Sequence, residues 1–178
     1  MIGTLPPRSG GPPPVASGQQ VDSKRVSLQP FGLNQLQQLM GWFPDKVGCR
    51  MWGGPEFRYP FDEATFQEDS RILGLPSWSL AGSDGSLSAF GQYYLRAGRC
   101  HLSRLAVAPH LRGHGIGSAL VRELCQLGCA AFGVASCSLF VLPGNESALR
   151  LYHRLGFVAA PYPEPDLVFA KCIYMVAS

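Results

Sequence analysis

The residues of this chain best suited to chemistry lie in the stretch Arg112-Gly113-His114-Gly115-Ile116-Gly117-Ser118. Its three glycines carry no Cβ, so the backbone there can approach a ligand closely. The apolar run Leu105-Ala106-Val107-Ala108 leads into Pro109 just before it, and an apolar helical pattern begins inside it. A helix start leaves unpaired N–H groups, and the helix dipole adds partial positive charge there. Strand, glycine loop and helix start together suit a phosphate or pyrophosphate. The spacing is not that of a dinucleotide fingerprint, and no Gly-Lys-Ser/Thr follows as in a P-loop. Taken alone, the glycines fit a ligand-free tight turn equally well. The charge pattern favours a ligand. No Asp or Glu lies between Asp84 and Glu123, whereas Arg96, Arg99, Arg104, Arg112 and Arg122 fall in that interval. Such a concentration of positive charge suits a polyanion.

The elements that must position this loop can be read from periodicity and turn signals. Val26–Gln29 alternates like a short strand ended by Pro30. Leu33, Leu36, Leu39 and Met40 recur at helical spacing, and further helices are expected over Asp45–Trp52 and from an Asp62 N-cap to Ile72. Trp78 and Leu80 lead to Ser83-Asp84-Gly85, a hairpin signal. Strands follow over Leu87–Leu95 and Cys100–Val107, joined near Ala97-Gly98. Next come a long helix over Gly115–Ala130, a strand over Ser138–Leu142 and a helix over Glu146–Leu155. Phe157–Ala159 and Val168–Val176 are read as closing strands. That order predicts a mixed α/β sheet.

Composition bounds the function. The chain has 178 residues, of which 46% are hydrophobic and 15% charged. One domain and a substantial core are expected. Residues 1–25 differ: five prolines and four glycines without periodicity read as a flexible tail preceding a domain over 26–178. A net charge of +3 is well short of a dedicated nucleic-acid binder, and the arginines lack interleaved aromatics. No apolar run is long enough to span a membrane. The first residues carry no basic and apolar signal pattern, so a cytoplasmic setting is expected. The six cysteines are read as buried, reduced thiols. Cys125 and Cys129 lie one helical turn apart, but no Cys-x-x-Cys pair or His-rich tract accompanies them, so no metal site is expected.

Two segments in order resemble the GNAT superfamily of acyl-CoA-dependent N-acetyltransferases. Arg112-Gly113-His114-Gly115-Ile116-Gly117 is similar to that family's Arg/Gln-x-x-Gly-x-Gly/Ala motif. Asn145 to Phe157 resembles its Asn-x-x-Ala-x-x-x-Tyr-x-x-x-Gly-Phe segment. The resemblance implies a curved, mostly antiparallel sheet splayed between its fourth and fifth strands, with acetyl-CoA in the splay. Leu105-Ala106-Val107 would then pair with the pantetheine arm through the backbones of Leu105 and Val107. The amides of Arg112, Gly113, His114, Gly115, Ile116, Gly117 and Ser118 would hold the pyrophosphate, and Asn145 would contact the pantetheine side. No metal is implied, and many relatives are homodimers.

The implied reaction is attack of a primary amine, on a small molecule or a protein, upon the acetyl thioester. Tyr152 matches the family's general-acid tyrosine. Two-residue alternation puts His101, Ser103, Leu105 and Val107 on one strand face. His101 stands where many relatives carry Glu. The arylalkylamine acetyltransferases are more similar, with a His-x-His pair, of which Ser103 replaces the second. His101 is expected as base or proton relay with Ser103 holding a water, or else as a packing histidine. His110 and His114 read as solvent-facing or near phosphate. Trp42, Phe43, Trp52, Phe57 and Tyr59, with Glu56 and Arg58, are a candidate acceptor pocket or simply core. A chain with the phosphate loop but no acid or base would be a non-catalytic acyl-CoA-binding module. Tyr152 favours the enzyme.

Overall fold

A computed structural model describes residues 26–164 and 171–178. The tail expected over 1–25 and the first residues of the expected strand Val168–Val176 lie outside them. Seven strands form one sheet in the order β1-β2-β3-β4-β5-β7-β6. They are β1 (Ser27–Pro30), β2 (Ser77–Ala81), β3 (Leu87–Arg96), β4 (Arg99–Val107), β5 (Cys137–Val141), β6 (Val158–Ala159) and β7 (Ile173–Ala177). All neighbours are antiparallel except β4 and β5. Pro30 is tolerated as the last residue of β1 because β1 is an edge strand.

The helices are α1 (Leu36–Met40), α2 (Lys46–Gly53), α3 (Glu63–Ser70), α4 (Ile116–Phe132) and α5 (Glu146–Arg154). The first expected helix begins instead as a 3-10 turn over Leu33–Gln35. Asp45 caps α2 by accepting from the Gly48 amide at 2.7 Å, and Asp62 caps α3 by accepting from the Thr65 amide at 2.8 Å. Helix α3 ends earlier than its periodicity suggests because Arg71 turns left-handed, φ 54°. Ala97 and Gly98 both have positive φ, the geometry that matches a two-residue hairpin to strand twist.

The sheet carries a core on each face. One, under α4 and α5, contains Leu102, Leu120, Leu124, Leu139, Tyr152, Phe157 and Met175. The other, under α1 to α3, contains Leu36, Leu39, Phe43, Phe57, Phe66 and Phe90. The expected acceptor aromatics belong to this second core. Phe43 stacks on Trp52 with centroids 4.3 Å apart, and Trp52 stacks on Phe66 at 5.5 Å. Arg58 faces outward and binds Asp69 and Glu68. Ring packing accounts for the cluster, so the pocket reading is corrected to core. Phe66 is fully buried and touches four rings. Phe66→Ala is expected to cost about 3–5 kcal/mol, read as a fall in the urea midpoint at unchanged slope.

Candidate functional site

β4 and β5 pair over only three positions, Cys100 with Cys137, His101 with Ser138 and Leu102 with Leu139. Beyond Leu102 the two strands part, as expected from the resemblance. The separation coincides with a β-bulge. Phe90 and Gln92 of β3 face Ala106 and Ser103, so Arg104 and Leu105 together oppose Gly91 alone. Arg104 adopts φ 49°, a left-handed conformation costing a non-glycine residue about 1–3 kcal/mol. Several anchors hold it. Trp52 Nε1 donates to the Arg104 carbonyl at 2.8 Å, and the Arg104 guanidinium donates to the Asp69 carbonyl at 2.8 Å and to Gln92 Oε1 at 3.2 Å. Gly91 admits the bulge closely: a Cβ there would stand 2.8 Å from Leu105 Cδ2.

The bulge overturns the shared-face expectation. An inserted residue shifts the two-residue alternation by one. Leu105 and Val107 therefore join Leu102 in the core under α4. Ala106 packs into the opposite core. His101 stays on that opposite side, its ring 5.1 Å from Tyr94, and Ser103 is paired with Gln92.

His101 is 2% exposed, and its Nδ1 lies 2.9 Å from Ser138 Oγ. Burial, reinforced by the Arg96 charge, pushes its pKa down to about 3. The ring is neutral at physiological pH, which removes it as a base and leaves the relay and packing readings of His101. The sign of the pH effect follows. Between about 3 and about 6.5 the unfolded chain binds a proton that the folded chain does not, so stability falls on acidification. The loss from pH 7 to pH 4 is about 3 kcal/mol. Urea titrations should show it, and His101→Gln should flatten that limb. Ser103 Oγ is buried and has no partner among the described residues.

The glycine loop follows β4. A 3-10 turn, Pro109–Leu111, leads to Gly113 and Gly115, both at φ 81°. Gly115 is the N-cap of α4, with no side-chain cap and no acidic residue in the first turn. Among the described residues the amides of 113–117 donate no backbone hydrogen bond, whereas Ser118 and Ala119 donate to the Gly115 carbonyl. This row of open amides at a helix start suits a pyrophosphate. Arg112 folds back to donate from Nε to the Val107 carbonyl at 3.3 Å, and His114 Nδ1 lies 2.9 Å from the Arg112 carbonyl. The other arginines do not gather here. Arg96 and Arg99 pair at the hairpin end of β4, about 25 Å along the strand from the loop. The expected local positive field therefore reduces to Arg112 and the helix start.

Helix α5 closes the arrangement. A Cβ on Gly117 would come 3.2 Å from Leu151 Cδ2 and 3.5 Å from Val107 Cγ2, so the end of β4, the start of α4 and α5 converge there. Tyr152, next to Leu151, is 8% exposed, and its hydroxyl makes no hydrogen bond among the described residues. Burial pushes its pKa up to about 12. Asn145 caps α5, its Oδ1 accepting from the Ala148 amide at 3.3 Å, so that oxygen is engaged within the helix start. Tyr152 and His101 serve opposite faces of the sheet and do not meet; the parting of β4 and β5 lies between those faces. Sequence reasoning missed Ser138, Arg104 and Trp52 as organisers, since a strained bulge held by tertiary contacts has no local signature.

The fold matches solved N-acetyltransferases. Spermidine N-acetyltransferase from Vibrio cholerae, solved with CoA and spermine, aligns with a TM-score of 0.65 at 13% identity over 88% of this chain and 96% of that one. The PaiA N-acetyltransferase of Thermoplasma acidophilum, solved with coenzyme A, gives 0.61 at 15% identity over 85% and 98%. The acetyltransferase (GNAT) family model matches residues 37–157, and the chain belongs to that family. Among curated relatives, mycothiol acetyltransferase of Acidimicrobium ferrooxidans is 36% identical over 102 residues, 55% of this chain and 29% of that protein. Glucosamine 6-phosphate N-acetyltransferase of Trypanosoma brucei brucei is 34% identical over 68 residues, 37% of this chain and 44% of that protein. The chain thus spans less than half the length of either.

Proposed function

We propose that this protein transfers an acetyl group from acetyl-CoA to a primary amine. The observation that carries this is the convergence at Gly117 of the part of β4 not paired to β5, the uncapped start of α4 and the Tyr152 helix. The open amides of 113–117 take the pyrophosphate. The β4 backbone beyond Leu102 accepts the extended pantetheine arm as a further strand would. The amine nitrogen forms a bond to the acetyl carbon, and the bond to sulfur breaks.

Tyr152 serves the departing sulfur. A phenol near 12 is neutral wherever the amine is reactive, so it is available as a donor. Full proton transfer to an ordinary thiolate near 8.5 would be uphill by about 3.5 units, roughly 5 kcal/mol. Its contribution is therefore a hydrogen bond to the developing negative charge. The amine's own proton passes to a water held at the Ser103 hydroxyl and on to solvent, because His101, its pKa held at about 3, does not accept it, and the CoA sulfur leaves as a thiolate that is protonated from solvent. His101, neutral and tied to Ser138, orients the relay, and the unpartnered Ser103 hydroxyl holds a water.

The relatives are named as acetyltransferases of mycothiol, glucosamine 6-phosphate and spermidine, so the acceptor panel begins with amino sugars, polyamines and peptide amines. The described cysteines are all free thiols, which supports a reducing, cytoplasmic setting. No helix among the described residues is long and apolar enough to cross a membrane. The test is free-thiol release from acetyl-CoA with each amine. Amine-dependent release supports the reading; CoA binding without release on any amine overturns it.

A further inference from the structure

The structure gathers cysteines that the sequence keeps apart. Cys100 lies on β4, Cys129 on α4 and Cys137 on β5. Their three sulfurs all lie within 4.8 Å of one another. The Cys129 and Cys137 sulfurs are 3.4 Å apart. Cys100 and Cys137 are buried, while Cys129 is partly exposed. A cavity of about 300 Å³ is lined by Cys125, Cys129, Cys137 and Arg122. Cys125 and Cys129 are four residues apart on α4 and so share a helix face.

We propose that Cys100, Cys129 and Cys137 bind one zinc ion or a similar soft cation, with Cys125 as the fourth ligand at the cavity. Thiolates about 2.3 Å from a tetrahedral zinc ion stand about 3.8 Å from one another. The observed separations bracket that spacing, so side-chain adjustments suffice. Sulfur donors select zinc or copper(I) over magnesium and calcium. Each thiol releases a proton to solvent as the ion binds, and no electron is transferred. Arg122 on the cavity wall offsets the negative charge that four thiolates leave on a divalent ion.

The position has a consequence for the fold. Cys100 and Cys137 are partners in the first of only three β4–β5 pairs. The ion would clamp the closed end of the splay from the α4 side. Spacing rules for metal motifs miss this site because its ligands come from three elements rather than from one loop.

The test uses the full chain, purified under reducing conditions and stripped with chelator. Cobalt(II) is added first, and its thiolate charge-transfer and tetrahedral d–d bands are followed; zinc then displaces it. One equivalent, with charge-transfer intensity for three or four thiolates and a zinc-dependent rise in Tm, is expected. Cys129→Ser should weaken zinc binding by about 100-fold or more, while Cys172→Ser, outside the cluster, should not. Should Cys129→Ser fail to fold, the intensity per cobalt in the unaltered protein decides: one thiolate or none overturns the proposal. So does unchanged affinity in a folded Cys129→Ser variant, or a Cys129–Cys137 disulfide in chain that binds no metal.

Discussion

Tyr152→Phe is expected to lower amine acetylation by about 10²–10³-fold in kcat, with little change in the KM for acetyl-CoA. The variant removes one hydroxyl that makes no hydrogen bond among the described residues and keeps the ring that packs on Phe157, 5.9 Å between centroids. Neither the fold nor the cradle for the pyrophosphate should notice. Thermal unfolding should therefore give an unchanged Tm. A large loss of kcat at constant Tm is the signature of a donor used only as the sulfur departs. A fall in Tm together with activity would instead mark Tyr152 as a packing residue. Turnover within a few-fold of the unaltered protein would remove it from the reaction.

Gly115→Val should act on binding. At φ 81° a β-branched side chain is strained by about 1–3 kcal/mol. A Cβ at Gly115 would meet no atom within 4 Å, so the strain comes from the backbone and not from a clash. Relief of that strain swings the Gly113 to Gly117 amides out of alignment. Each hydrogen bond to a charged group is worth about 1.5–3 kcal/mol, so losing two weakens CoA by about 10²–10⁴-fold. Calorimetry with CoA and with pantetheine separates the cause. The variant should lose affinity for CoA while pantetheine, which lacks the pyrophosphate, binds the two proteins alike. An equal loss for both ligands would place the damage in the splay rather than the loop.

Much of the architecture was legible because it is local. The Asp62 cap, the Ser83-Asp84-Gly85 turn and the apolar pattern of α4 each express their structure within a few residues. The order of those elements predicts a mixed sheet, and its parting between the fourth and fifth strands is what the resemblance of the two motifs to the GNAT family implies. The site was legible only in part. Gly113 and Gly115 announce a backbone that no other residue adopts comfortably. Arg104 announces nothing, because its left-handed bulge is held by Trp52, Gln92 and Asp69 from distant parts of the chain. Strand alternation carried past that bulge assigns Leu105 and Val107 to the wrong face. His101 shows the same limit: its position was readable, but its neutrality comes from burial by Tyr94 and Phe140, which only the fold supplies. The arginines between 96 and 122 look like one field in sequence and are spread over the β3–β4 hairpin, the glycine loop and α4 in space.

The most direct measurement is label transfer. Acetyl-CoA labelled in the acetyl group is incubated with the protein and a primary amine, and the product is examined by mass spectrometry. The account predicts one labelled acetyl group on the amine nitrogen for each CoA thiol released, and almost none with Tyr152→Phe. Binding of acetyl-CoA with the label retained on sulfur, whichever amine is supplied, would contradict it.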